Sequence, residues 1–128
     1  MTRPQSRIEA QQQRNALGKA AEDLVQTRLE EQGFEILARN LRVGRDELDI
    51  VARKGPLLVV CEVRARTNVS WMTPAQSITR AKIASVRRGV ATLLRQWRLP
   101  GVEVRLDVAS VVVIDGEPSI NYLEGALH

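Results

Sequence analysis

Histidine is almost absent from this chain of 128 residues: the only one, His128, is the last residue. Chemistry that needs an internal imidazole, Ser-His-Asp triads and His-ligated zinc included, therefore has no supply. The single cysteine, Cys61, lies inside an apolar run. That excludes an internal disulfide and a Cys-x-x-Cys zinc site, and it reads as a small buried hydrophobe in a reducing compartment. Aromatic residues make up only 3% of the chain, so aliphatic side chains must fill the core and stacking platforms for single-stranded bases are not expected. No segment approaches the roughly 18 consecutive apolar residues of a membrane span, and the polar opening MTRPQSRIEAQQQRN lacks the apolar stretch of a signal peptide. A cytoplasmic protein without a membrane partner is expected. There is no G-x-x-x-x-G-K-[ST] loop, which excludes P-loop nucleotide hydrolysis.

With 44% hydrophobic and 27% charged residues the composition is globular. The length suits one domain over residues 1–128, with residues 1–6 expected to be disordered. Net charge is +4 and the isoelectric point is near 10.0. Its distribution says more than its total. After Glu62 the next acidic residue is Glu103, and between them lie Arg64, Arg66, Arg80, Lys82, Arg87, Arg88, Arg95 and Arg98. Such a basic block suits a nucleic-acid partner or a membrane surface, and equally a solvated face that keeps a basic protein soluble.

Pro4 is a helix-start signal, and residues 7–32 hold helix formers until Gly33 stops them. Leu17, Ala20, Ala21, Leu24 and Val25 form an apolar arc at about 100° per residue, with Gly18 and Glu22 one turn apart on its edge. FEILARNLR (34–42), ELDIVARK (47–54) and LLVVCEVRAR (57–66) read as a three-stranded meander. Period-two alternation sets Leu48, Ile50 and Ala52 on one face of the middle strand and Glu47, Asp49 and Val51 on the other, and it aligns Leu58, Val60, Glu62 and Arg64 in the third. Thr73-Pro74 opens a second helix that runs to about Trp97. Its apolar stripe is Ile83, Val86, Val90, Leu93, Leu94 and Trp97, its arginines share another arc, and Lys82 falls on the opposite flank of the stripe. Residues 102–115 and 119–125 form two last strands around the turn DGEP. The expected architecture is α/β, a mixed central β-sheet flanked by helices in the order αβββαββ.

Oxygen-ligand chemistry is what remains for a site. Asp49 and Glu62, thirteen residues apart on candidate adjacent strands, can present two carboxylates to one point, which suits a hard cation such as Mg²⁺ or Mn²⁺ with a phosphate completing the shell. The cation at E-x-[KR] spacing, Arg64, would offset charge building on phosphorus. The same residues also read as ordinary solvated strand ends, Glu62 with Arg64 being a same-face ion pair of little energy. Glu22 has the same pair of readings. Asp107 interrupts a valine-rich strand, and Arg105 or a backbone donor would satisfy it.

Six motifs in order, GKAAED (18–23), GFEILARN (33–40), ELDIVA (47–52), VCEVRAR (60–66), TPAQSITRAKIASVRRGVATLL (73–94) and RLDV (105–108), resemble the bacterial YraN-like family. That family is uncharacterised and is thought to have the restriction-endonuclease-like fold found also in archaeal Holliday-junction resolvases. The resemblance implies that Glu22, Asp49 and Glu62 match the acidic positions of a nuclease site, Asp49 and Glu62 holding the metal and Glu22 assisting from the first helix. Arg64 stands where the family has lysine, Asp46 where it has glycine, and Gln76 where glutamate is frequent. Arginine is effectively never deprotonated and is a poor general base, so Lys82 becomes the candidate to replace the missing lysine. The expectation is a Mg²⁺-dependent DNA endonuclease acting on branched or structured DNA; alternatively, a nucleic-acid-binding module that retains the nuclease fold. Arg66, Arg80, Lys82, Arg87, Arg88 and Arg95 are the expected nucleic-acid contacts, and a homodimer would supply the two sites that two cuts need.

Overall fold

A computed structural model describes residues 3–66 and 78–127, the side chains from residue 7 onward. Helix α1 covers Arg3–Glu31, taking in the Pro4 start signal and most of the segment expected to be disordered. Gly33, at φ 92°, ends it: its N–H donates to the Glu30 carbonyl while the Phe34 N–H reaches back to Leu29, which closes the last turn. Strands β1 (Glu35–Val43), β2 (Asp46–Lys54) and β3 (Leu57–Arg66) follow as the expected meander. Helix α2 runs Arg80–Trp97, then β4 (Glu103–Ile114) and β5 (Glu117–Leu123) complete the order αβββαββ. Asp115 and Gly116, both at positive φ, make the two-residue hairpin between the last two strands.

The start of α2 differs from the expected one. Thr79 is extended (φ −76°, ψ 159°), and its hydroxyl accepts the Lys82 N–H at 3.1 Å, so Thr79 is the N-cap and the helix begins at Arg80. Thr73, Pro74 and Gln76 lie outside the described residues.

The five strands lie in sequence order, all neighbours antiparallel except β3 and β4, which are parallel. A parallel pair cannot be joined by a tight turn, and α2 belongs to that crossover. One face of the sheet packs under α1 through Ala21, Val25 and Leu29 against Ile50, Ala52, Val59 and Cys61. The other packs under α2 through Val86, Val90 and Leu93 against Leu48, Val51, Leu58 and Val60. Because β3 is covered on both faces, Leu58–Glu62 is buried without a break. The buried line of α1 is Ala21, Val25 and Leu29, four residues apart, whereas Ala20 of the expected arc is exposed. Among the described residues no helix is long and apolar enough to cross a membrane.

The expected grouping of Leu48 with Ile50 and Ala52 fails. Leu48 faces α2, while Ile50 and Ala52 face α1. In β1 the same thing happens: Arg39 bonds to α1 while Leu41 packs with the α2 core. Between them Asn40 sits at φ 48°, a left-handed residue that resets the alternation.

Candidate active site

The register of β2 with β3 runs from Lys54↔Leu57 to Ile50↔Cys61 and stops there. The next facing positions are Asp49 and Glu62. Their side chains take over from the backbone ladder: Glu62 Oε2 accepts the Asp49 N–H at 3.2 Å, and Asp49 Oδ2 accepts the Val63 N–H at 2.9 Å. Each carboxylate thus occupies the place of a partner-strand carbonyl, and the two strands part at this point. On β1, left-handed Asn40 falls between the pairs Arg39↔Ile50 and Leu41↔Leu48, opposite Asp49. Three irregular positions on three strands therefore line up across the sheet.

Lys82 reaches the same point from α2. Its Nζ lies 2.9 Å from Glu62 Oε1, and Glu62 is 1% exposed. Among the described residues Lys82 is the partner of this buried oxygen, and the contact is an ion pair. Burial, and then the neighbouring charge of Asp49, push Glu62 up to about 7. Burial likewise raises Asp49, against the Val63 N–H and Lys82, which favour its charged form, and with the Glu22 charge adding to the rise. For Lys82, burial acts downward but the attraction of Glu62 and then Asp49 outweighs it, so the amine is held above its ordinary value and stays an ammonium. The Thr79 cap holds the Lys82 backbone N–H in the first turn of α2.

Glu22 approaches from the α1 side. Its Oε1 accepts from Arg39 Nη2 at 3.3 Å and Asn40 Nδ2 at 3.2 Å; its link to Asp49 is through charge. Arg64 and Arg66 lie at the end of β3 beyond Glu62, half-buried, lining a depression beside α1. Among the described residues no hydrogen bond or ion pair holds Arg64 to Glu62. Arg80 and Arg95 are exposed on α2, and Arg87 lends Nη2 to the Leu127 carbonyl at 3.5 Å. Arg88 is bound in bidentate fashion to buried Asp46, Nε to Oδ2 at 2.8 Å and Nη2 to Oδ1 at 2.7 Å, and that guanidinium holds the Asp46 carboxyl below its ordinary value. Asp46 also accepts from Ser85 at 2.9 Å. Its departure from the family glycine thus has a structural partner on α2.

Sequence reasoning missed Arg39 and Asn40. Arg39 ties Glu22, Asp23 and Gln26 of α1 to the sheet, and its signal was a charge inside the apolar strand FEILARNLR. Asp107 receives both kinds of partner expected for it: Arg105 in bidentate fashion, the Gly125 N–H at 2.8 Å, and in addition the Tyr122 hydroxyl. It lies one strand away from the site and fastens the end of the chain.

Among the described residues no group of three or more His, Cys, Asp or Glu side chains converges. The donors at the parting are two carboxylates, Glu62 buried and Asp49 half-buried, both made less acidic chiefly by that burial. Hard oxygen donors of this kind fit Mg²⁺ or Mn²⁺ with the remaining positions left to water and phosphate.

A family model for the uncharacterised protein family UPF0102 matches residues 21–111, a span that contains Glu22, Asp49, Glu62, Arg64 and Lys82. A UPF0102 protein of Sorangium cellulosum is 45% identical over 117 residues, covering 88% of this chain and 81% of its own. One from Acidothermus cellulolyticus is 39% identical, with 88% and 94% covered, and one from Bacteroides thetaiotaomicron is 35% identical, with 89% and 93% covered. Among solved structures, SfsA of Pyrococcus furiosus in complex with Ca²⁺ is similar at 18% identity and a TM-score of 0.44, over 86% of this chain and 63% of that one. The chain belongs to the uncharacterised protein family UPF0102, the YraN-like family that its motifs indicate.

Proposed function

We propose that this protein is a metal-dependent nuclease that hydrolyses phosphodiester bonds in branched or otherwise structured DNA. The observation that carries the reading is the convergence of Asp49, Glu62 and Lys82 where β2 and β3 part, with Lys82 Nζ 2.9 Å from Glu62 Oε1. Asp49 and Glu62 would hold the cation, which when bound polarises the phosphodiester and acidifies water. Lys82 is an ammonium in this setting, so its part is to stabilise charge on the phosphate and to donate toward the leaving oxygen. Arg64, two residues past Glu62, braces a phosphate as a fixed cation and takes no proton. Glu22 acts through its field on Asp49 and through the position it gives Asn40.

Purified protein incubated with branched and linear DNA, with and without Mg²⁺ or Mn²⁺, tests this. Wild type is expected to cut only with metal, and Asp49→Ala and Glu62→Ala to lose cutting by about 10²-fold or more. Lys82→Ala is expected to lose a similar factor while Lys82→Arg retains part of it. Equal cutting by wild type and both acid variants would mean that the activity belongs elsewhere.

One observation favours a second reading, a binding module that retains the fold: Lys82 already neutralises Glu62 without a metal, and Arg64 replaces the strand lysine. That reading predicts DNA affinity that falls steeply with salt and no metal-dependent cutting at any concentration of protein.

A further inference from the structure

Helix α1 carries a ridge formed by residues four apart, Arg14, Gly18 and Glu22, and the ridge has a gap at Gly18. A Cβ built there meets nothing within 4 Å, so the fold itself does not require the glycine. Two depressions flank the helix at this gap. One lies toward β1 and is lined by Arg14, Gly18, Lys19, Glu22 and Asn40; the other lies toward the end of β3 and is lined by Arg14, Gly18, Arg64 and Arg66. They share Arg14 and Gly18. A trough therefore crosses α1 through the missing side chain, from the arginines just beyond Glu62 to the neighbourhood of Glu22. Its charge is cationic: Arg14 and Lys19 are exposed, with weak surface partners in Gln11 and Asp23, Arg64 and Arg66 are half-buried, and the carboxylate of the lining, Glu22, is engaged by Arg39 and Asn40. On α2, Arg88 is committed to Asp46, while Arg80 and Arg95 are exposed and serve as the comparison surface.

Resting on the nuclease reading for its choice of ligand, we propose that the sugar-phosphate backbone of one DNA strand crosses α1 in the Gly18 notch, gripped by Arg14 and Lys19 on one rim and by Arg64 and Arg66 at the mouth. A gap of one side chain leaves room for one sugar-phosphate backbone against the helix. Among the described residues the lining holds no aromatic side chain, so contact with these is to phosphate and is indifferent to base sequence. Such a track explains why an open helix position that would favour alanine holds glycine.

Affinity is read without catalysis, by fluorescence anisotropy of a labelled DNA strand in EDTA over a series of salt concentrations. Gly18→Leu and Arg14→Glu are each expected to raise Kd about tenfold, and Arg14→Glu to lower the slope of log affinity against log salt by about one. The notch variant projects into open space, so its circular dichroism and melting temperature are expected to match or exceed wild type, and Gly18→Ala gives a smaller loss of affinity. Unchanged Kd in both Gly18→Leu and Arg14→Glu overturns the track, as does a larger loss from the double reversal Arg80→Glu/Arg95→Glu on α2. Absence of DNA binding by the wild type, or equal binding of polyglutamate, overturns it as well. Failure of the nuclease reading looks different: the notch variants lose affinity as stated while wild type never cuts in Mg²⁺ or Mn²⁺. Conversely, cutting that depends on Asp49 and Glu62 but ignores Gly18→Leu leaves the nuclease and removes the track.

Discussion

Glu62 is the carboxylate of the candidate site on which burial and neighbouring charge act together. It is wholly buried, its ordinary value is 4.5, and burial with the Asp49 charge pushes it up to about 7. Between those two values the folded protein holds a proton that the unfolded chain has released. Unfolding in that window therefore sheds a proton, and stability falls as pH rises from about 4.5 to about 7, with no further change from this group above it. Metal-free protein is expected to melt at a higher temperature at pH 5 than at pH 8, and Glu62→Gln to flatten that slope; a wild-type melting temperature that rises from pH 5 to 8 would contradict the assignment. Lys82→Ala leaves the buried carboxylate without its ammonium, which is expected to cost about 2 kcal/mol at pH 8, below the usual range for a broken buried pair because Glu62 can take up a proton instead. The loss should vanish at pH 5, where Glu62 is neutral, as denaturant titration at the two pH values would measure. Lys82 also shows what residue patterns can reach. Its place opposite the arginine arc was legible from helical spacing, but its distance from Glu62 was not, because that depends on how α2 sits over the sheet.

At the scale of elements, the site exists because three strands break their regularity in one row. Strand boundaries were readable to within one or two residues from apolar runs and turn residues, and β3 was placed at 57–66 as found. The face assignment in β2 was not readable, since a two-residue period assumes an unbroken ladder and the left-handed Asn40 next door resets it. The start of α2 was displaced for a related reason: Thr-Pro and Thr-Arg are both acceptable starts locally, and only the Thr79 hydroxyl on the Lys82 N–H decides between them. Thr79→Ala is expected to cost about 1 kcal/mol of stability and to lower cutting by releasing the first turn that carries Lys82, with Thr79→Ser retaining most of both. In β4, Asp107 accepts from Arg105, Tyr122 and the Gly125 backbone while fully buried. Removing it orphans those donors, so Asp107→Ala is expected to cost about 3 kcal/mol in denaturant unfolding, without changing DNA affinity measured on the folded fraction. Loss of affinity in that fraction would mean that Asp107 belongs to the site.

Taken as a whole, the molecule brings its two helices to opposite faces of one sheet; α2 delivers Lys82 to the parting, while Glu22 of α1 is held by Arg39 and Asn40 and reaches Asp49 through charge. Cations follow the same division. Those of α2 partly brace the fold, as Arg88 does on Asp46, while those around α1 surround an open trough. Whole-protein affinity for DNA is accordingly expected to fall by orders of magnitude between low and physiological salt, with α1 and β3 arginines carrying most of that dependence. The sequence by itself determined the element order, the aliphatic core, the scarcity of histidine and cysteine, and the choice of Asp49 and Glu62 as the acids to watch. Those follow from composition, from period and from motif order, which are local properties of the chain. Only the tertiary structure decided that the two carboxylates cap each other's strand, that Lys82 rather than Arg64 meets Glu62, and that a glycine on α1 opens a path beside them. Each of these depends on contacts between residues far apart in the chain, where a shift of one position in register turns a side chain from one face of the sheet to the other.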